Sequence, residues 1–491
     1  MGTPLHSVAD IRAVELSAQR DLPDGTLMAR AGAAAAAHIS ASHVGKRLSV
    51  CVVAGPGNNG GDGYEAAVEL KALLHDVTCV QIAEPVAEDA KRAFARWAAS
   101  GGHTRFDLPD EHSFDCVVDA LLGIGQARPL REPLLSAVRW INRQPTSVIA
   151  LDVPSGLDAD RGSWHGAVDG VRASSTITFI ADKAGLHTGD GAEAAGAVTI
   201  AALATRLPPA RLWLTTPSDF EQITQPRQRN THKGSFGNAF IVGGNVGMVG
   251  AALLAARAAL RIGAGRVYVD CVGAAEFRVD PLQPELMFTS AAPADRMQAL
   301  CIGCGLGDDS RALDALQKSL QQSAAVVIDA DALNLIARDA ALSSQLSSRT
   351  ATTLLTPHPL EAARLLGCSV EEIQADRINC AQRLAERFGS IVILKGAGTV
   401  IVHPDGRCAI NPTGGPALAT AGTGDVLAGL ICGLLAQGFD PWQSALGGVW
   451  LHGRAADSAG FDVGLVASDI APLAARALGQ LRSGNAARAA Q

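Results

Sequence analysis

The chain has 491 residues, more than one hydrophobic core organises comfortably, and two or three domains are expected. With 48% hydrophobic residues, 18% charged residues and 52 glycines, it reads as a soluble α/β protein rich in tight strand-to-helix turns. A net charge of -7 and only 4% aromatics leave neither the basic face nor the stacking platform that a nucleic-acid partner requires.

The N-terminus passes from Met1-Gly2-Thr3-Pro4-Leu5-His6 to Asp10, Arg12 and Glu15 without a basic-then-apolar leader, so a cytoplasmic location is expected. Apolar, β-branched runs at 48–54, 76–82, 114–119, 147–152 and 175–180 read as strands. Stretches at 64–74, ahead of residue 114, and at 130–142 read as the helices between them. Such alternation builds a parallel sheet covered on both faces, with ligands beyond the C-terminal strand ends. A proline-rich and polar lapse over 207–233 marks a domain boundary near Leu214. The alternation then restarts, with strands at 238–242, 267–270, 300–303, 325–329, 353–356 and 391–395 and a helix at 248–262. Arg257 and Arg261 interrupt that helix, which is too short to span a membrane, and no membrane partner is expected. The tail after Ser483 is small and polar and is expected to be disordered. The two halves share an architecture class without an aligned repeat.

Ten scattered cysteines form no disulfide framework and read as reduced, small hydrophobes. Cys301 and Cys304 make a lone C-x-x-C, and the second ligand pair that zinc needs is missing.

Two glycine-rich segments carry the chemistry. Gly55-Pro56-Gly57-Asn58-Asn59-Gly60 satisfies G-x-G-x-x-G after a strand and before a helix, which suits a dinucleotide pyrophosphate at a helix N-terminus. Glu84 stands at about the spacing of a ribose-binding acid, though the same pattern also occurs as a plain strand-to-helix turn. Asn59, Asp119 and Ser155 offer amide, carboxylate and hydroxyl oxygens from successive strand ends, a donor set for a hard cation. Asp152 and Asp119, taken singly, also read as turn aspartates.

Near the C-terminus, Gly422-Thr423-Gly424-Asp425 opens a long apolar helix whose first amides form an anion hole. A carboxylate beside a phosphate is unfavourable unless it works, and accepting a hydroxyl proton during phosphoryl transfer is such work. Lys395-Gly396-Ala397-Gly398-Thr399 could hold a nucleotide. His358 lies at the mouth of another strand end, where it also reads as a polar helix-entry residue. Gly303-Cys304-Gly305-Leu306-Gly307 reads as a third strand-to-helix turn, and no G-x-x-x-x-G-K-[ST] motif occurs.

Residues 1–213 resemble the NAD(P)H-hydrate epimerase domain. The motifs are Gly57-Asn58-Asn59-Gly60-Gly61-Asp62-Gly63, Val118-Asp119-Ala120-Leu121-Leu122-Gly123-Ile124-Gly125 and Asp152-Val153-Pro154-Ser155-Gly156-Leu157-Asp158. The resemblance implies a potassium ion on Asn59, Asp119 and Ser155. It implies hydrate contacts from Asn58, Asn59, Gly60, Gly61 and Asp62, from Gly123, Ile124, Gly125, Gln126, Ala127, Arg128 and Pro129, and from Asp152. Asp152 is the residue expected to move a proton at nicotinamide C6. Tyr64-Glu65 departs from a more aliphatic pair.

Residues 214–491 resemble the NAD(P)H-hydrate dehydratase domain, which has a ribokinase-like fold. His232-Lys233-Gly234-Ser235-Phe236-Gly237, Ile262-Gly263-Ala264-Gly265, Thr356-Pro357-His358-Pro359, Lys395 to Thr399 and Gly422 to Asp425 carry the match. It implies ADP contacts from Lys395, Gly396, Ala397, Gly398, Thr399 and Gly424, and hydrate contacts from Ala251, Gly307, His358 and Asp425. Cys304 stands in place of the family's usual proline, and Ala421 in place of a frequent glycine. Together the resemblances imply a Rossmann-like domain followed by a ribokinase-like one, in a chain that repairs NADHX and NADPHX, the hydrates of NADH and NADPH. The epimerase domain would use potassium; the dehydratase domain would use ADP and magnesium. A homo-oligomer is expected. Two rivals remain from the residues alone: a ribokinase-type vitamin or sugar kinase, and a non-catalytic dinucleotide-binding N-terminal module.

Overall fold

A computed structural model describes residues 2–42, 45–109, 114–166, 170–274, 276–289 and 297–489. The chain separates into two compact units, Pro4–Leu212 and Trp213–Gln491, the latter joined by Met1–Thr3.

In the first unit seven strands form one sheet, in the order His103–Arg105, Asp76–Gln81, Ser49–Ala54, Cys116–Ala120, Ser147–Leu151, Ser175–Phe179 and Ala197–Ala201. All six pairings are parallel. Alternation within Ser49–Ala54 serves two cores. Val50, Val52 and Ala54 pack with residues of helices Thr26–Ala41, Asn58–Ala72 and Glu88–Ala99, and Cys51 and Val53 pack with residues of Leu134–Asn142. Successive strands add to one side of Ser49–Ala54 and then to the other. The turns after Ser49–Ala54 and Cys116–Ala120 therefore diverge, opening a crevice at the switch point.

One local expectation is corrected here. The glycine run to residue 63 reads as a loop, but the helix already begins at Asn58. Asn58 to Gly63 are its opening turns. A Cβ on Gly63 would lie 2.6 Å from the Ala120 side chain, so this glycine permits helix-on-sheet contact and is not there for a loop. Short strands at His103–Arg105 and Ala197–Ala201 extend the sheet beyond the expected five, because pairing to a neighbour supplies what a weak local pattern lacks.

The second unit is organised around Asn238–Gly243, which pairs in parallel with Arg266–Cys271 on one side and Ala299–Ile302 on the other. Parallel pairing continues through Ala325–Ile328, Thr353–Leu355 and Ile391–Leu394. Val400–Val402 and Cys408–Ile410 then add antiparallel strands. Helix Thr423–Ala436 is buried from Val426 to Ala436 and packs beside Val249–Arg261, which explains its nearly unbroken apolar sequence. As far as Ala489 the expected disordered tail is helical instead, Ala467–Ala489 being one helix; residues 490–491 lie outside the described residues. Arg482 Nε donates to the Ile223 carbonyl at 3.0 Å and Asn485 Nδ2 to Thr224 Oγ1 at 2.9 Å, tertiary bonds that a polar composition does not announce. Among the described residues, no helix is long and apolar enough to cross a membrane.

Candidate active sites

The first centre lies at the switch point of the seven-stranded sheet. Asp119, near the end of Cys116–Ala120, is fully buried; it accepts from Leu121 N at 3.2 Å, Ser155 N at 2.8 Å and Ser155 Oγ at 2.7 Å. Burial outweighs those bonds and pushes its carboxyl up to about 6. The Asn59 amide is buried with neither its oxygen nor its nitrogen hydrogen-bonded. An orphaned carbonyl beside a set of buried oxygen donors fits a hard cation, because such a group otherwise costs free energy.

Asp152 follows Ser147–Leu151 in a left-handed conformation, φ 67°. Its Oδ2 accepts from Ile124 N at 3.1 Å, and its Oδ1 takes Phe179 N at 3.4 Å and lies 2.8 Å from Lys183 Nζ. Gly123 borders both side chains: a Cβ there would lie 2.9 Å from Asp152 Oδ2 and 3.4 Å from Asn59 Oδ1. Gly123→Val is expected to lower turnover at this centre about 100-fold by filling this space. Unchanged turnover in that variant would place the substrate elsewhere.

Asn59, Asp119, Gly123, Ile124, Asp152 and Ser155 thus come together. Desolvation, with Asp152 and Glu15 next, drives the Asp62 carboxyl well above its ordinary range. Gln126 Oε1 accepts from Gly156 N at 2.9 Å, while Asn58, Gly125, Ala127, Arg128 and Pro129 are exposed around the rim. Glu84 is exposed, in a segment whose Val86 amide bonds the Pro56 carbonyl at 2.9 Å. Tyr64 and Glu65, the departing pair, are buried; Glu65 pairs with Arg96 at 2.9 Å. Lys183 and Glu15 escaped sequence reading. Lys183 lies four residues after the buried strand Ser175–Phe179, and an ion in such a setting is a usable signal.

The second centre collects strand ends under one helix start. Asp329, after Ala325–Ile328, accepts from Thr356 Oγ1 at 2.8 Å and pairs with Lys395 Nζ at 2.7 Å. Lys395 Nζ is 3.9 Å from Glu361 Oε2. A Cβ on Gly424 would lie 3.3 Å from Lys395 Nζ, which brings the amide end of Thr423–Ala436 onto this ion pair. Ligand atoms of Asp425, Asp329 and Cys304 all lie within 4.8 Å of one another. Burial, and then Asp329, pushes the Asp425 carboxyl up to about 6; burial raises Glu361 to about 7 against the pull of Lys395. A cluster of acids with raised proton affinity around one lysine is poised for proton transfer.

Around the rim, Gly307 N donates to Asp331 Oδ2 at 2.8 Å, and Ala251 opens onto Gly305 from the first turn of Val249–Arg261. His358 caps helix Pro359–Leu366, its Nδ1 accepting from Leu360 N at 3.1 Å, so it is also the helix-entry residue that the sequence suggested. Gly396, Ala397, Gly398 and Thr399 form the turn into Val400–Val402, with Thr399 Oγ1 on the Gly396 carbonyl at 3.0 Å. Buried Arg377 props that turn from below through the Leu394 and Lys395 carbonyls. Cys301 and Cys304 are reduced and buried, with sulfurs 3.9 Å apart. Asp329, Glu361, Arg377 and buried His452, whose Nε2 bonds the Thr423 carbonyl at 2.9 Å, carried no assigned role in the sequence reading. Asp329 directly follows its strand, as Asp152 follows Ser147–Leu151, and that shared position is the signal.

The two centres define a class: a two-site α/β enzyme, with separate carboxylate-bearing centres at the strand ends of two parallel-sheet units. Residues 24–185 match the family model described as YjeF-related protein N-terminus, and residues 239–475 match NAD(P)H-hydrate dehydratase. The Bifunctional NAD(P)H-hydrate repair enzyme Nnr of Escherichia coli K12 is 38% identical over 466 residues, covering 90% of this chain and 87% of the relative. That of Coxiella burnetii is 35% identical over 494 residues, covering 96% and 98%. The chain belongs to the family of bifunctional NAD(P)H-hydrate repair enzymes. Among solved structures, the ADP/ATP-dependent NAD(P)H-hydrate dehydratase of Bacillus subtilis co-crystallized with ATP/Mg2+ is 30% identical, covering 53% of this chain and 97% of its own, with a TM-score of 0.47.

Proposed function

We propose that residues 1–213 interconvert the R and S epimers of NAD(P)H hydrate at C6 and that residues 214–491 dehydrate the S epimer with ADP. The observation that carries this reading is the presence of two separate centres, each pairing a helix N-terminus with an aspartate, in one chain of this family.

In the first unit, the opening amides of Asn58–Ala72 and the rim from Gly123 to Pro129 bind the dinucleotide. Asp152 moves the proton at C6, with Asn58 to Asp62 beside it. Potassium fits Asn59, Asp119 and Ser155, and when bound would supply a fixed positive charge to orient the substrate's oxygens.

In the second unit, Lys395 to Thr399 and the Gly424 amide hold ADP, while Ala251, Gly307, His358 and Asp425 face the hydrate. Asp425 accepts the C6 hydroxyl proton as that oxygen bonds the β-phosphorus and AMP departs with the bridging oxygen. The C6–O bond then breaks toward phosphate, a better leaving group than hydroxide, with the ring nitrogen lone pair assisting. Loss of a C5 proton restores the dihydronicotinamide, so hydrate and ADP yield NAD(P)H, AMP, phosphate and a proton. Magnesium riding on the nucleotide phosphates would neutralise charge on the transferring group, and the Asp329 carboxylate could help to hold it.

The test is absorbance recovery at the dihydronicotinamide band from mixed-epimer NADPH hydrate with ADP, magnesium and potassium. Complete recovery is expected. A stall at the S fraction would remove the epimerase role, and no recovery would remove the dehydratase role in favour of the kinase. Replacing potassium with lithium is expected to slow conversion of the R fraction and leave the S fraction's rate unchanged; equal rates in both salts would count against the cation site.

A further inference from the structure

We infer that Lys183 is the positioning residue of the first centre, fixing Asp152 so that Oδ2 alone faces the substrate. The inference rests on the role proposed above for Asp152.

The Lys183 side chain is fully buried, and its ammonium has four acceptors for three protons: Asp152 Oδ1 at 2.8 Å, Thr178 Oγ1, the Phe179 carbonyl at 3.1 Å and the Ala181 carbonyl at 3.2 Å. Three of these belong to the strand Ser175–Phe179 and the turn after it, so the ammonium is anchored to the sheet. A buried ammonium is costly to desolvate unless paired, and the carboxylate it meets is that of Asp152. Asp152 in turn holds a left-handed backbone, φ 67°, which an L-residue keeps only where its surroundings over-determine it.

The two carboxylate oxygens are treated differently. Oδ1 faces Lys183 Nζ and Phe179 N and is turned inward. Oδ2 meets the Ile124 amide at 3.1 Å and looks toward the space left by the missing Gly123 side chain, beside the Asn59 amide. An anchored ammonium on one oxygen and an amide on the other fix both the rotation and the depth of the carboxylate. Orientation of this kind is what brings a proton-transfer group into reach, and small displacements cost large factors in rate.

The test separates kcat from KM for R-to-S conversion, followed by chromatography of the epimers, in Lys183→Met, Lys183→Ala and Asp152→Asn. Lys183→Met is expected to lower kcat about 100-fold with KM within about twofold, because substrate contacts remain while the acting oxygen is released. Ethylammonium is expected to restore part of the Lys183→Ala rate in a saturable way, and ethanol to restore none. Wild-type kcat in Lys183→Met, or a loss shared equally by kcat and KM without amine rescue, overturns the inference. Should Lys183→Met fail to fold, the pair Asp152→Asn with Lys183→Met removes both partners of this ion pair and is expected to fold. Failure of that pair also to fold marks Lys183 as structural and overturns the inference. Full activity in Asp152→Asn would instead sink the role of Asp152 itself, so the two failures are distinguishable.

Discussion

Asp425→Asn is expected to lower ADP-dependent dehydration about 1,000-fold while leaving R-to-S conversion unchanged. Asn keeps the shape of the side chain in the first turn of Thr423–Ala436 but cannot take a proton, and a positioned general base contributes roughly 100- to 10,000-fold. The same carboxyl fixes the pH dependence. Burial, followed by Asp329, pushes it up to about 6, and it acts as a base only when ionised. The wild-type dehydration rate should therefore rise through pH 6 and flatten above it, and the variant's residual rate should lack that limb. Stability moves the opposite way. The folded state holds the Asp425 proton more tightly than the unfolded chain does, so this group's contribution to unfolding free energy falls as pH rises from about 4 to about 6. Removing the carboxyl removes that slope. Steady-state rates from pH 5 to 8, with melting followed over the lower part of that range, check both signs. A wild-type limb far from pH 6, or dehydration surviving in Asp425→Asn, would unseat Asp425 as the base.

Lys395→Met carries the second large effect, and it arises from electrostatics more than from contact with a nucleotide. Lys395 Nζ sits 2.7 Å from Asp329 and 3.9 Å from Glu361, with Gly424 against it. Without the ammonium, Asp329, Glu361 and Asp425 remain as a group of carboxyls with no cation among them. Breaking a buried pair by removing one partner costs about 3–5 kcal/mol, because the remaining charge stays buried. A lowered melting temperature is therefore expected. Lys395 is also one of the groups holding the Asp425 carboxyl down, so its loss should move the limb of the dehydration profile to higher pH and weaken ADP. Lys395→Arg should not restore the rate, since a forked, longer guanidinium cannot occupy the place of a compact ammonium. An unmoved limb in Lys395→Met would mean that the ion pair is structural only.

The residues that gather at the two centres share a property legible without coordinates. Asp119, Asp152 and Lys395 stand at the C-terminal end of an apolar run, and Asn59 and Asp425 in the first turn of a helix. Gly55 to Gly63 and Gly422 to Asp425 were legible too, as helix entries able to bind anions. The actual start of the first helix at Asn58 was not, because glycine favours a loop locally and only the Ala120 side chain explains why a helix needs it there. The helix Ala467–Ala489 was missed for a similar reason, since its anchors at Ile223 and Thr224 lie more than two hundred residues earlier.

By itself, the sequence determined the central strands of both sheets, their parallel character, the resemblance to two known domains and the chemistry available at most strand ends. These follow from hydrophobic period and from side-chain type, which are local quantities. Tertiary structure alone decided which strand ends became neighbours. It put Ser49–Ala54 between Asp76–Gln81 and Cys116–Ala120, aimed Lys183 at Asp152, and set Asp329 and Lys395 beneath Gly424. Pairing between distant segments is chosen by the packing of whole faces and by the cost of burying an unpaired charge, and neither is written in any single stretch of chain.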